Sequence, residues 1–248
     1  MKDIMTFRRV EKKYRLTPAQ KDALLDIIGA HLTPDAHGRN TICSLYLDTP
    51  DHRIIRASII AQAYKEKLRL RSYGTPKMDD EVFLEIKKKF KGVVYKRREI
   101  MTLRQAMAYI SGGEKPCDSQ IMQEIDYAMH FYHQPQPMML IAYEREAYFS
   151  ADNPDLRITF DTNVRARSSD CRLEMGSAGE YLLPEDAILM EIKTGGAMPV
   201  WLAQALSQCD IVPGRFSKYG TAYLRSEGLI PAPVYPRSTM RGDMTAHA

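Results

Sequence analysis

The residues most able to do chemistry lie in Lys67-Leu-Arg-Leu-Arg-Ser-Tyr73. In an extended strand, alternation sends Lys67, Arg69, Arg71 and Tyr73 to one face and Leu68, Leu70 and Ser72 to the other. Three cations spaced two residues apart repel one another unless water, carboxylates or an anionic ligand compensates them. A solvated face is the commoner meaning of any one such strand. Here the pattern recurs. Glu11 and Lys13 share a face within Arg8–Leu16, together with Arg9 and Arg15; Phe83, Glu85, Lys87 and Lys89 share one within Glu81–Lys89. Tyr143 with Arg145, Arg157 with Thr159 and Asp161, and Leu189 with Glu191 and Lys193 follow suit. The repetition points to one polar surface built by many strands.

Elements that would position these side chains alternate along the chain. Thr17-Pro18 signals a helix start, and Leu24, Leu25, Ile27, Ile28 and Leu32 follow at near-helical spacing. Pro34–Arg39 reads as a loop, Thr41–Asp48 as an apolar strand and Asp51–Tyr64 as a helix. Gly74-Thr75-Pro76 turns the basic strand into Glu81–Lys89, and Gly92 permits a second turn into Val93–Ile100, whose Lys96-Arg97-Arg98-Glu99 run leaves its register open. Thr102 and Asp118 are caps for two helices, the second ending before Pro135 and Pro137. Strands over Met138–Phe149, Leu156–Val164 and Ala187–Lys193, a short helix over Pro199–Cys209 and a last ordered segment opened by Phe216-Ser217-Lys218-Tyr219-Gly220 complete the reading. Arg165–Pro184 has weak periodicity. The expected fold is α+β: an antiparallel β-barrel of about eight strands with helices packed outside, over residues 5–228, followed by a flexible tail over residues 229–248. A closed barrel would let charged faces look into a wet interior while apolar faces point outward under helices.

The 248 residues are 44% apolar and 27% charged, ordinary for a globular chain, and the formal net charge of +4 is too mild to imply nucleic acid. Cys43, Cys117, Cys171 and Cys209 form no CxxC pair, which speaks against a zinc knuckle and fits reduced thiols in a cytoplasm. No apolar run reaches the roughly 18 residues of a bilayer span, and the first ten residues have no signal-peptide core. A cytoplasmic protein without stable membrane insertion is expected. His130 and His133 have metal-compatible spacing but no third ligand.

Taken in order, Glu11-Lys12-Lys13-Tyr14, Lys67-Leu-Arg-Leu-Arg-Ser-Tyr73, Phe83-Leu-Glu-Ile-Lys87, Tyr143-Glu-Arg-Glu-Ala-Tyr148, Arg157-Ile-Thr-Phe-Asp161, Leu189-Met-Glu-Ile-Lys193 and Phe216-Ser-Lys-Tyr219 make the chain resemble the vacuolar transporter chaperone (VTC) domain. This is the polyphosphate polymerase domain of the CYTH-like triphosphate tunnel superfamily. The resemblance spans roughly residues 5–226. It implies a β-tunnel that binds ATP and passes the terminal phosphoryl group to a polyphosphate chain, with a divalent metal, manganese in preference to magnesium. It also implies that Lys13, Arg69, Arg71, Lys87, Arg145, Arg157, Lys193 and Lys218 bind phosphate, with Lys96 or Arg98 as an addition, and that Glu191 holds the metal. Arg69, Arg71, Lys193 and Lys218 are the implied catalytic set, and Ser217 is a possible assistant beside Lys218. The sequence shows no inositol-phosphate-sensing domain or membrane helix of the eukaryotic members, and no ExExK opening of the thiamine triphosphatase and adenylate cyclase branch.

Phosphoryl transfer spreads anionic charge, which fixed cations and a metal stabilise without a protein nucleophile. Arg offers paired donors and Lys a movable point charge, a mixture suited to an advancing polymer. Water in place of the polymer end would make the same channel a metal-dependent triphosphatase. A non-catalytic polyphosphate-binding module needs the bases but not Glu191, and Glu11 or Glu85 competes with Glu191 as metal ligand. Nucleic acid is disfavoured by the interleaved carboxylates.

Overall fold

The computed structural model describes residues 10–60, 63–91 and 93–233. Arg9, the turn expected at Gly92 and all of the tail beyond residue 233 lie outside the described residues. In chain order the strands are β1 (Val10–Leu16), β2 (Leu32–Pro34), β3 (Asn40–Asp48), β4 (Tyr64–Tyr73), β5 (Glu81–Phe90), β6 (Val93–Thr102), β7 (Gln136–Ser150), β8 (Arg157–Arg167), β9 (Glu180–Tyr181), β10 (Ile188–Thr194) and β11 (Pro213–Gly214). The helices are α1 (Pro18–Ile28), α2 (Arg53–Ile59), α3 (Leu103–Ile110), α4 (Gln120–Phe131), α5 (Val200–Gln208) and α6 (Lys218–Ser226).

The α+β expectation holds, but the closed barrel of about eight strands does not. Among the described residues, one antiparallel sheet of 11 strands runs β11-β1-β10-β8-β7-β3-β4-β5-β6, with β2 on β7 and β9 on β8, and its two ends do not hydrogen-bond. The eight long strands are those the alternation marks; β2, β9 and β11 are two or three residues long, too short to show a period. What the sheet does is curl. Lys87 Nζ on β5 comes within 3.6 Å of Glu11 Oε2 on β1, so side chains bridge the concave side between strands far apart along the hydrogen-bonded path.

Local sequence explains the helix starts. Thr17 and Gln20 form a capping box for α1, with Pro18 in its first turn, and Thr102 and Gln105 do the same for α3. Ser119, one residue after Asp118, is the side chain that caps α4. Ser217 caps α6 by accepting a bond from the Gly220 amide.

Two apolar cores lie on the convex side as expected. Leu45, Leu68, Leu70 and Leu84 pack under α3 and α4; Leu16, Ile158, Phe160 and Met190 pack under α1 and α5. A third core departs from the expectation that apolar faces point only outward. Ile42, Tyr46, Ile141, Tyr143 and Leu189 lie on the concave face, and α6 covers them with Tyr219, Ala222 and Tyr223. Burying those residues at 25 cal/mol per Å2 of apolar surface holds α6 against the inside of the sheet, about 1.5–3 kcal/mol for each large side chain. The concave face is therefore part polar channel and part apolar plug.

Candidate functional site

The polar part of the concave face is assembled by register. Across the β4–β5 ladder Arg69 opposes Glu85 and Lys67 opposes Lys87; across β5–β6 Glu85 opposes Arg98 and Lys87 opposes Lys96. This settles the register that the Lys96–Glu99 run left open: Lys96 and Arg98 face the channel, while Arg97 reaches Glu124 of α4 at 3.6 Å. On the other wall Lys13 opposes Glu191, Glu191 opposes Thr159, and Arg145 opposes Asp161.

Two buried carboxylates organise the cations. Glu85, with its side chain 1% exposed, receives Arg69 Nε at 2.7 Å, Lys96 Nζ at 2.6 Å and Arg98 Nη2 at 2.7 Å, with Arg71 Nε 3.9 Å away. Asp161 takes a two-pronged bond from Arg145, at 2.6 and 2.8 Å, and accepts from Lys218 Nζ at 2.5 Å. Burial alone would raise both carboxyls; Arg69, Arg71 and Lys96 hold Glu85 well below the usual carboxylate range, and Lys218 and Arg145 lower Asp161. From sequence, Glu85 is an alternative metal ligand to Glu191 and Asp161 only a member of a polar strand face; the structure makes each the hub of a set of cations. The signal was present for Asp161, which lies four residues from Arg157 on the same strand face.

The remaining cations converge around Glu191 and α6. Lys193 Nζ lies 2.7 Å from Glu191, and Lys13 Nζ 3.8 Å from it and 3.5 Å from Glu11. Burial acts to raise the Glu191 carboxyl, but Lys193, Lys13 and Arg145 outweigh it and hold it well down. Lys13 donates to the Phe216 carbonyl at 3.1 Å, and Lys67 donates to the Ser217 hydroxyl at 3.2 Å, so the start of α6 is tied to both walls. Burial, with Lys13, Lys87 and Arg69 nearby, pushes Lys67 down to about 8, against the opposing pull of Tyr46. Burial also lowers Lys96, to about 8. Arg71 is buried beside Ser44. Arg157 opposes Lys193 across β8–β10, and its guanidinium contacts Asp35 at 3.4 Å and stacks 4.8 Å above the Phe149 ring.

Tyr46 is a channel residue the sequence did not flag. Its hydroxyl accepts from Arg69 Nη1 at 3.2 Å, and its ring stacks on Tyr219 at 4.5 Å. Burial would raise that hydroxyl, yet Arg69, Lys67 and Arg71 bring it down to about 7. At the Lys67 end the channel opens into a cavity of about 1130 Å3, lined by Lys13, Lys67, Lys87, Lys89, Arg215 and Ser217 among others. That volume lies just above the roughly 300–1,000 Å3 usual for small-ligand sites.

A model of the VTC domain matches residues 8–226. The chain belongs to the VTC domain family. No curated protein matches this VTC domain by sequence. Among solved structures it is similar to a protein from Hippeastrum, described as a candidate adenylyl cyclase with a dominant triphosphatase activity, at 17% identity and TM-score 0.53, covering 90% of this chain and 98% of that one. It also aligns with a candidate adenylate cyclase from Vibrio parahaemolyticus, at 14% identity and TM-score 0.45, covering 87% of this chain and 97% of that one. At such identity the likeness to the Hippeastrum protein is one of fold. No helix among the described residues is long and apolar enough to cross a membrane.

The VTC domain's metal expectation can be set against its donors. Among the described residues no group of three or more His, Cys, Asp or Glu can hold an ion. Glu191 and Glu11, both touching Lys13, offer one or two carboxylates. Hard divalent cations at triphosphate sites are commonly held in that way, with phosphate oxygens and water completing the shell. The residues fit a cation that enters with its phosphate ligand.

Proposed function

We propose that this VTC domain is an ATP-dependent polyphosphate polymerase. An unesterified oxygen on the terminal phosphate of a polyphosphate chain forms a new P–O bond to the γ-phosphorus of ATP. The bond to the bridging oxygen breaks, and ADP leaves with its electron pair. Arg69 and Arg71 on one wall and Lys193 on the other flank the transferring group, while Lys218 at the start of α6 faces it from the plug. Lys13, Lys87, Lys96, Arg145 and Arg157 bind the remaining phosphates. Glu191 would hold a divalent cation, manganese in preference to magnesium, which would supply charge neutralisation for the phosphoryl group.

The observation that carries this reading is the meeting of cations from β1, β4, β5, β6, β7, β10 and α6 on one concave face in a member of the VTC family. Such an array stabilises dispersed phosphoryl charge. A triphosphatase, with water as acceptor, is the second reading; the activity ascribed to the Hippeastrum neighbour favours it.

The test incubates the purified chain with ATP and Mn2+ and resolves the products by gel electrophoresis. Long polyphosphate supports the polymerase, and orthophosphate alone supports the triphosphatase. Neither product, with tight polyphosphate binding that survives Glu191→Ala, overturns both enzyme readings in favour of a binding module.

A further inference from the structure

On the channel face of β8, Thr159 and Arg157 each carry a donor with no hydrogen-bond partner among the described residues. Thr159 is 2% exposed, and its Oγ1 makes no hydrogen bond; the buried Nε of Arg157, two residues away on the same face, makes none either. The neighbouring residues Ile158 and Phe160 belong to the convex core, so alternation places Thr159 on the channel side. Its cross-strand partners are Glu191 on β10 and Ala147 on β7. Buried hydroxyls are ordinarily hydrogen-bonded, because an unmade bond forfeits the hydration the group had in the unfolded chain. A valine would fill the same space at this position without that cost.

We infer that Thr159 is a further phosphate-binding residue, its hydroxyl donating to a non-bridging oxygen of a phosphoanhydride held on the Arg157–Lys193 wall. This rests on the triphosphate reading of the channel and extends it. The β4 row grips phosphate with charged donors, whereas the β8–β10 wall adds a neutral donor between Arg157 and Glu191. A hydroxyl there contacts the anion without adding to the repulsion among the surrounding cations, and it satisfies a bond that the unliganded protein leaves open.

The test uses the full chain and tripolyphosphate as probe, with titration calorimetry for affinity and thermal melting for stability. Thr159→Val should melt at the wild-type temperature or above, because it removes an unpaired donor while keeping the shape, and should bind tripolyphosphate about tenfold more weakly. Thr159→Ser should restore most of the affinity. Thr159→Val binding within twofold of wild type overturns the inference, as does a lowered melting temperature with affinity unchanged, which marks the hydroxyl as structural. Wild-type protein that fails to bind tripolyphosphate removes the triphosphate reading itself, and with it this inference.

Discussion

Arg69 and Glu85 face one another across the β4–β5 ladder, with Nε 2.7 Å and Nη2 2.6 Å from the same carboxylate oxygen. The other oxygen of Glu85 receives Lys96 and Arg98. One buried anion therefore holds most of one wall's cations in place. Removing it leaves those charges uncompensated, at a cost of about 3 kcal/mol or more for a buried pair broken on one side. Glu85→Ala should lower the melting temperature in plain buffer, and saturating tripolyphosphate should recover most of the loss by supplying the missing negative charge. A melting temperature that does not respond to the substitution would show that the cations are compensated elsewhere.

The same geometry separates binding from catalysis. Arg69 and Lys193 approach the channel from opposite walls, each already held by a carboxylate. Replacing either with Ala should cut turnover about 10²- to 10³-fold, the loss typical of one preorganised donor to a developing anion. Each variant should keep a cooperative melt. Arg69→Lys should recover only part of the rate, because a point charge cannot reproduce a two-pronged grip. Wild-type turnover in Arg69→Ala would remove Arg69 from the catalytic set.

Much of this site was legible because half-buried antiparallel strands write a period of two into the sequence. Lys67, Arg69 and Arg71 share a face as the alternation requires, as do Glu85 and Lys87, or Glu191 and Lys193. Four things were not legible. Closure depends on hydrogen bonds between strands distant in sequence, and nothing in β6 or β11 announces that they remain edges. Tyr219, Ala222 and Tyr223 read as the apolar side of a helix, but that pattern does not say which face of the sheet the helix covers. The organising roles of Glu85 and Asp161 emerge only from cross-strand register, since each draws its cations from more than one element. Thr159 carries no charge and stood out only once its lack of a partner was visible.

Acid should unfold the protein through these same carboxylates. Glu85, Asp161 and Glu191 titrate below their ordinary range in the folded state, so their contribution to stability is complete above the unfolded values, about 4. It is lost as pH falls below that, because the unfolded chain takes up protons that the folded chain resists. Melting temperature followed from pH 7 to pH 3 should drop most steeply below about pH 4. The drop should be shallower in Glu85→Gln, which has one fewer such group.

Lys67 should make anion binding depend on pH in the alkaline range. Its ammonium titrates at about 8 in the folded protein, below the ordinary 10.5, because burial and Lys13, Lys87 and Arg69 disfavour its charge. The folded state therefore binds fewer protons than the unfolded state between those values, and Lys67 lowers stability most below pH 8. Raising the pH relieves that strain. An anion in the channel reverses the preference by favouring the charged ammonium, so binding at pH 8.5 should take up protons, and affinity should weaken as pH climbs past about 8. Calorimetry of tripolyphosphate binding in two buffers of different ionisation enthalpy measures that uptake. Comparison with Lys67→Met subtracts the ligand's own ionisation and that of Lys96. Equal proton uptake by the two proteins would show that Lys67 stays charged in the empty channel, compensated by its neighbours before any phosphate arrives.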